Sequence, residues 1–340
     1  MSGHRVLIVG AGALGLTTGY FLRRSGAELS FLVRPHRVEA LTRPQTLYSY
    51  DEQTLKTLDG YEVFTDAAEL RGDQFDFVLL TLDGATCRSA QGTETLRALG
   101  AALAVGKATL LICAVGTGLY QHVQKTTGLP ASRLLEGTMK IFAYQVGQEG
   151  APQPGADQAQ LHDSADIAYI NFPDRVGFFV TSKPAAPAKA FIELFSGSGE
   201  ATCKSLPTGI YRISTNTFAP FTVSCELAGW PDMDTLVADR ELWRLCCQAQ
   251  REIMRLKQHG LQGKLMALFM SDKRMEKLMR DSERDAAPMG FAAFNRFHHG
   301  GKVLEQNVQI LENCLSLGVE GGQKMDATRA LVERWRRQHL

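Results

Sequence analysis

Three glycines near the start of the chain have the spacing of a phosphate-binding turn. Gly10, Gly12 and Gly15 lie in VLIVGAGALG, after four apolar residues. In a dinucleotide fingerprint the first glycine makes a tight turn, the second lets backbone approach a pyrophosphate, and the third lets a helix pack on the strand. The phosphates then bind amides at the helix N-terminus. A tight turn without a ligand is the alternative, but the predicted helix and a second strand about 20 residues further on favour the dinucleotide.

Two arginines at the end of the second predicted strand indicate which dinucleotide binds. FLVRPHR places Arg34 and Arg37 where an NAD site usually has an acidic residue for the ribose hydroxyls. A guanidinium matches a 2′-phosphate through two hydrogen bonds, so NADP(H) is the predicted cofactor. The alternative is that both arginines are solvated loop residues. Further predicted cofactor contacts are Ala11, Leu14, Leu82, Ala114, Val115 and Gly116.

Short apolar runs alternate with helical stretches over residues 6–115, which predicts βαβ units and a parallel sheet covered on both faces. LYSYDEQTLKTLDGYEVF predicts an antiparallel excursion around the turn residues Asp59 and Gly60. Beyond Pro207, patterns typical of helices dominate the sequence. The predicted fold class is α/β: a Rossmann-like doubly wound sheet in residues 1–183, followed by an all-helical substrate and dimerisation domain in residues 184–340.

The composition fits a protein that acts on a small molecule. With 37 basic and 36 acidic side chains in 340 residues, no strong field suits nucleic acid or an anionic membrane. The seven cysteines form no CxxC pair, and no carboxylate stands at metal-ligand spacing from His298 and His299, so no metal site is predicted. The absence of a signal-peptide pattern and of a long apolar stretch predicts a cytoplasmic protein.

The GAGALG turn, the LVR at the end of the second strand, and the α/β half followed by a helical half resemble the ketopantoate reductases. In layout this resemblance covers nearly the whole chain. It implies reduction of 2-dehydropantoate with NADPH and a helical domain like that of the 6-phosphogluconate dehydrogenase superfamily. Two of the family's motifs differ here: Asp83 replaces a lysine after FDFVLLTL, and CAVGTG replaces an Asn-Gly turn after ATLLIC. Asp83 is a predicted substrate contact, and the alternative is that it caps the next helix.

The same resemblance implies roles in the segment GIYRISTNTFAPF, where no lysine is available. Tyr211 aligns with the family's catalytic lysine and Thr215 with an asparagine, while Asn216 lies one residue away. Tyr211 is the predicted general acid that protonates the developing alkoxide, helped by a neighbouring cation such as Arg212. The alternative is that Tyr211 packs at the domain interface.

A third segment, GKVLEQN, resembles the start of a helix in the family. The resemblance aligns Glu305 with the family's glutamate, which binds the substrate hydroxyl. Just before it, FNRFHHGG contains Asn295 and His298, which are predicted substrate contacts. The alternative for the histidine is an ordinary surface position.

Together these patterns predict an NADPH-dependent reductase of a C=O or C=N group on a small molecule, bound in an interdomain cleft, with substrate specificity altered from the family's. One alternative is a genuine 2-dehydropantoate 2-reductase. Another is an NADP(H)-binding sensor or scaffold without catalysis. The apolar faces of the helical domain also allow a homodimer.

Overall fold

The protein forms two compact units, with the boundary after Pro207. The structure, a computed structural model, describes residues 3–339. The boundary lies further along the chain than residue 183, where the composition changes. The reason is that a helix, Ala185–Phe195, and a strand, Thr202–Leu206, complete the N-terminal unit.

Within the described residues, the N-terminal unit has twelve strands and six α-helices. The strands are β1 (Arg5–Val9), β2 (Glu28–Leu32), β3 (Gln45–Ser49), β4 (Thr54–Leu58), β5 (Tyr61–Phe64), β6 (Phe77–Leu80), β7 (Thr109–Ile112), β8 (Leu134–Met139), β9 (Phe142–Gln145), β10 (Ile167–Ile170), β11 (Val176–Thr181) and β12 (Thr202–Leu206). The helices are α1 (Ala13–Arg24), α2 (Gly84–Arg88), α3 (Ala90–Leu103), α4 (Leu119–Thr127), α5 (Ala159–Asp163) and α6 (Ala185–Phe195).

The main sheet has eight strands in the order β12-β11-β8-β7-β6-β1-β2-β5. The six strands from β8 to β5 are parallel to one another. Residues Val6–Val9 of β1 are almost fully buried, as are Phe77–Leu80 of β6, because helices cover both faces of a parallel sheet. That double burial explains the continuous apolar runs in the sequence and confirms the doubly wound fold.

A second sheet has four strands in the order β4-β3-β10-β9. Its β3-β4 hairpin is the predicted antiparallel excursion, but the hairpin turns at residues 50–53 instead of at Asp59 and Gly60. Gly60, with φ +66°, leads the chain back to the main sheet, where β5 pairs with β2 in parallel. The prediction of the turn was wrong because a glycine turn looks the same locally in either role.

The described part of the C-terminal unit consists of helices. They are α7 (Thr208–Thr217), α8 (Ala219–Leu227), α9 (Met233–Ala238), α10 (Arg240–Met254), α11 (Gly260–Phe269), α12 (Asp272–Asp285), α13 (Phe291–Asn295), α14 (Leu304–Glu320) and α15 (Asp326–His339). On α10, Asp239 caps the N-terminus by accepting from the Leu242 amide at 3.0 Å, and Cys246, Ala249 and Ile253 are fully buried. The all-helical second domain is confirmed. None of the described helices combines the length and apolarity that crossing a bilayer requires.

Candidate functional site

The carboxyl ends of four neighbouring parallel strands meet at one edge of the main sheet. Val9 of β1 pairs with Leu32 of β2 on one side and with Leu80 of β6 on the other, and Leu80 pairs with Ile112 of β7. The turns after these strands therefore lie side by side. The chain order reverses at β1, because β2 and β6 flank it on opposite sides. Open α/β sheets bind ligands in the crevice at such a switch point.

Each glycine in the turn after β1 has a different steric environment. Gly10 has φ +105°, a conformation that favours glycine, and its amide donates to the Leu32 carbonyl at 3.0 Å. A Cβ at Gly15 would lie 2.2 Å from the Gly10 carbonyl oxygen, so a side chain there would force α1 away from β1. A Cβ at Gly12 would meet no atom within 4 Å. Gly12 therefore borders open space, as the second glycine of a dinucleotide fingerprint must.

The N-terminus of α1 has the features of an anion-binding site. Gly12 begins the helix without a side-chain cap, and the first turn contains no acidic residue. Its free amides carry the positive end of the helix dipole. Ala11 is buried and Leu14 half-buried in this turn. The turn therefore fits the pyrophosphate of a dinucleotide, because it offers backbone donors next to unfilled space.

The two arginines predicted to select the cofactor both follow β2. Arg34 is exposed and directly precedes a short 3₁₀ helix, Pro35–Arg37. Arg37 is half-buried, and its Nη2 donates to the Ala11 carbonyl at 3.3 Å. Arg37 thus connects the end of β2 to the glycine-rich turn, while the Arg34 guanidinium stays accessible.

The carboxylate of Asp83 caps α2. Its Oδ1 accepts from the Thr86 amide at 2.7 Å, and its Oδ2 accepts from the Thr86 hydroxyl at 2.9 Å. This confirms the alternative that Asp83 is an N-cap. Since both carboxylate oxygens are already hydrogen-bonded, a contact with substrate would have to compete with the cap.

The remaining predicted cofactor contacts lie at the same sheet edge. Leu82 is half-buried, and its Cδ2 would lie 3.2 Å from a Cβ at Gly10. Ala114, Val115 and Gly116 follow β7 and are also half-buried. All of them thus border the crevice around the end of β1.

Arg88 is a cation at this edge that the sequence analysis did not single out. It is exposed, it is the last residue of α2, and its Nη2 donates to the Thr117 carbonyl at 2.6 Å. The same nitrogen would lie 3.9 Å from a Cβ at Gly116. Arg88 and Thr117 are 29 residues apart, so no local sequence pattern indicates that the guanidinium lies beside the turn after β7.

In the helical unit, the predicted general acid Tyr211 lies on α7 and is 3% exposed. The Thr215 hydroxyl, one turn later, donates to the Tyr211 carbonyl at 3.2 Å. Asn216 is on the same helix and is also buried. The three residues are therefore neighbours on one helix, and the Thr215 hydroxyl bonds to the helix backbone.

A π-helix, Arg296–Lys302, follows α13 and contains both histidines. Such turns are frequent at functional sites. The His298 ring stacks on Phe294 with centroids 5.5 Å apart, and it meets the His299 ring edge-on at 4.8 Å. The π-helix therefore places the two imidazoles in direct contact.

Asn307 on α14 is a partner of His299 that the sequence analysis missed. Its Nδ2 lies 3.2 Å from His299 Nδ1, and the asparagine is buried. Burial, and secondarily the neighbouring His298, lowers the pKa of His299 well below its usual value. With the amide as donor, the neutral ring accepts at Nδ1 and carries its proton on Nε2.

The two other predicted contacts near the π-helix differ in access. Asn295 is buried, and its Nδ2 donates to the Phe291 carbonyl at 2.8 Å. Glu305 is exposed in the first turn of α14. Of the two, only Glu305 presents its side chain to solvent.

A doubly wound sheet with a glycine-rich turn at its switch point, followed by an all-helical unit, is the architecture of the two-domain dinucleotide-dependent dehydrogenases. Residues 6–163 match the family model described as "Ketopantoate reductase PanE/ApbA". The match covers this part of the chain only, and it confirms the resemblance noted in the sequence. No curated protein sequence matches the chain.

Solved structures share the fold over the whole chain. A 2-dehydropantoate 2-reductase from Geobacter metallireducens is 19% identical, with a TM-score of 0.72 over 98% of this chain and 99% of that one. A D-mandelate dehydrogenase in complex with NADH is 13% identical, with a TM-score of 0.67 over 98% of both chains. A dimeric ketopantoate reductase from Staphylococcus aureus is 14% identical, with a TM-score of 0.61 over 98% and 99%. At these identities the likeness establishes the fold, and all three are named as reductases or dehydrogenases.

Proposed function

We propose that the protein is an NADPH-dependent reductase of a C=O or C=N group on a small molecule. The observation that carries this proposal is the sheet edge around β1, where an uncapped helix N-terminus, open space at Gly12 and two arginines after β2 lie together. When bound there, the cofactor supplies a hydride. The chain must then bind and orient the substrate and supply the proton that completes the reduction.

The preference for the phosphorylated cofactor rests on Arg34 and Arg37. The acidic residue that accepts from the ribose hydroxyls in an NAD site is absent from the FLVRPHR segment. An exposed guanidinium at Arg34, with Arg37 beside the glycine-rich turn, suits a 2′-phosphate. The D-mandelate dehydrogenase with this fold was solved with NADH, so the two cofactors have to be compared directly.

Tyr211 is proposed as the general acid. A phenol both donates and accepts hydrogen bonds, so it can pass its proton to the oxygen of a carbonyl whose carbon has gained a hydride, which yields the alcohol. Glu305 is proposed to accept a hydrogen bond from a substrate hydroxyl or amine, because its carboxylate is exposed. Thr215, Asn216, Asn295 and His298 are proposed to complete the substrate contacts.

The capping role of Asp83 bears on the substrate. The expectation of altered specificity rested on the missing lysines and on the negative charge of Asp83. Because Thr86 occupies both oxygens of Asp83, the second reason is weakened, and 2-dehydropantoate is retained as a candidate substrate. The Staphylococcus aureus relative is dimeric, and we propose a homodimer here as well.

The test combines binding and turnover in one sample. Purified protein is titrated with NADPH and with NADH by calorimetry, and NADPH oxidation is then followed with ketopantoate and with ketones and imines that lack a carboxylate. Oxidation of NADPH with any of these compounds supports the proposal. Tight NADPH binding without oxidation across the whole panel would favour the non-catalytic sensor instead.

A further inference from the structure

We infer that Arg88 is a specificity-determining residue that binds an anionic group of the substrate, such as a carboxylate beside the reacting carbonyl. This inference rests on the proposed function and extends it, because it names a chemical group of the substrate and the residue that binds that group.

The position of Arg88 is the first argument. The guanidinium lies at the carboxyl edge of β6 and β7, beside the turn that contains Gly116 and Thr117. Arg34 and Arg37 lie on the other side of β1, after β2. Because the adenosine ribose of a dinucleotide lies at the end of β2, the hydride-donating ring is expected on the side of β6 and β7. Arg88 is therefore on the reacting side of the crevice.

The hydrogen bonding of Arg88 is the second argument. A guanidinium has five N–H donors, and the bond from Nη2 to the Thr117 carbonyl accounts for one of them. That bond fixes the orientation of the group without neutralising its charge, because a carbonyl oxygen is a neutral acceptor. The nearby carboxylate of Asp83 is occupied by the amide and hydroxyl of Thr86. An oriented, charged and exposed guanidinium is suited to bind a carboxylate through two hydrogen bonds.

The experiment compares an acid with its neutral counterpart. Ketopantoate and its lactone share the same reacting carbonyl, but only the acid carries a negative charge. Calorimetry with protein loaded with NADP⁺, which cannot donate a hydride to the probe, measures the affinity for each probe in the wild type, Arg88→Met, Arg88→Lys and the control Arg71→Met. Arg71 is exposed in the loop before β6, at the opposite edge of the sheet, so its loss removes the same charge far from the crevice.

We expect the wild type to bind the acid more tightly than the lactone. Arg88→Met should weaken acid binding roughly 10- to 100-fold, as loss of hydrogen bonds to a charged group does, with lactone and NADPH binding unchanged. Arg88→Lys should restore part of the preference for the acid, whereas a merely structural role would leave the ratio of the two affinities unchanged. Arg71→Met should behave like the wild type.

Three results would overturn the inference: equal affinity of the wild type for acid and lactone, no acid binding at all, or a loss of NADPH affinity in Arg88→Met equal to the loss of acid affinity. Failure of the proposed function gives a different pattern. If the wild type prefers the acid and loses that preference in Arg88→Met, yet oxidises no NADPH, the role of Arg88 stands and the reductase activity does not.

Discussion

A methyl group on Gly15 would lie 2.2 Å from the carbonyl oxygen of Gly10, whereas a methyl group on Gly12 would meet nothing within 4 Å. One glycine of the motif is thus required by the packing of α1 on β1. Gly12, with φ −85°, could carry a side chain without strain in the protein without a bound ligand. The packing of the protein itself therefore requires glycine at position 15 but not at position 12.

Gly15→Ala and Gly12→Ala form a matched pair for the cofactor turn. We expect Gly15→Ala to lower the free energy of unfolding by about 1–3 kcal/mol, because backbone must move to admit the methyl group. Gly12→Ala should change stability by less than about 0.5 kcal/mol but weaken NADPH binding, because the methyl group fills the space next to the helix amides. Urea unfolding followed by circular dichroism, with calorimetric titration of NADPH, measures both effects. Unchanged NADPH affinity in a folded Gly12→Ala variant would rule out this turn as the pyrophosphate site.

The arginines after β2 predict a cofactor preference that mutation can remove. Arg34→Gln should raise the Kd for NADPH about 10-fold or more, because a charge-assisted contact with the 2′-phosphate is lost. The Kd for NADH should change little. Arg37→Gln should affect both cofactors, since its guanidinium also holds the Ala11 carbonyl. An equal loss of affinity for NADPH and NADH in Arg34→Gln would show that Arg34 does not bind the 2′-phosphate.

Local patterns in the sequence were sufficient to predict the glycine-rich turn after β1 and the parallel sheet. The Gly10-Gly12-Gly15 spacing and the buried runs of β1 and β6 each depend on residues a few positions apart. The predicted boundary at residue 183 precedes the one in the structure because β12 pairs with β11 as an edge strand of the main sheet, although TCKSL lacks the apolar run of a buried strand. The hairpin turn was misplaced because β5 pairs in parallel with β2 in the main sheet instead of folding back on β4.

At the candidate site, too, local sequence patterns do not reveal contacts between residues that are far apart in the chain. Asp83 has both a capping and a binding interpretation in the sequence, and only the contact with Thr86 decides between them. The contact of Arg88 with Thr117 and that of His299 with Asn307 join different elements. Such pairs follow from how strands and helices are arranged, and no periodicity or motif encodes them.

Asp83 allows capping and substrate binding to be separated. Asp83→Ala should destabilise the protein by about 1 kcal/mol through loss of the N-cap, while Asp83→Asn should retain most of the cap because asparagine also accepts from the Thr86 amide. If Asp83 serves only as a cap, KM and kcat of Asp83→Asn will equal those of the wild type. A changed KM in Asp83→Asn at unchanged stability would instead assign Asp83 a direct contact with substrate.

Tyr211→Phe tests the proposed general acid. Removal of the hydroxyl should lower kcat about 100-fold or more, within the range for loss of general acid catalysis, with little change in NADPH affinity. Tyr48→Phe is the control, because Tyr48 is a buried tyrosine of the second sheet. Full activity in Tyr211→Phe would leave the tyrosine with a packing role only.

The low pKa of His299 predicts acid sensitivity of the helical unit. The unfolded chain binds a proton near the usual pKa of 6.5, whereas the folded ring resists protonation until a lower pH. The unfolded state therefore holds more protons in this window, and stability falls as the pH drops below about 6.5. All three tryptophans, Trp230, Trp243 and Trp335, belong to this unit, so their fluorescence reports its unfolding.

His299→Gln is the matched variant for this pH dependence. It should flatten the decline in stability between pH 6.5 and the folded pKa, since glutamine does not titrate. His36→Gln, at an exposed position in the N-terminal unit, should leave the decline intact. An identical pH profile in wild type and His299→Gln would show that another group controls the acid transition.

The most direct test of the account is NADPH oxidation by the purified protein with ketopantoate, measured after NADPH binding has been confirmed in the same sample and repeated with Gly12→Ala. We expect the wild type to bind NADPH more tightly than NADH and to oxidise it when a suitable carbonyl compound is added, and we expect Gly12→Ala to lose both properties while remaining folded. A folded wild-type protein that binds neither cofactor would contradict the central claim that the turn after β1 is a dinucleotide site.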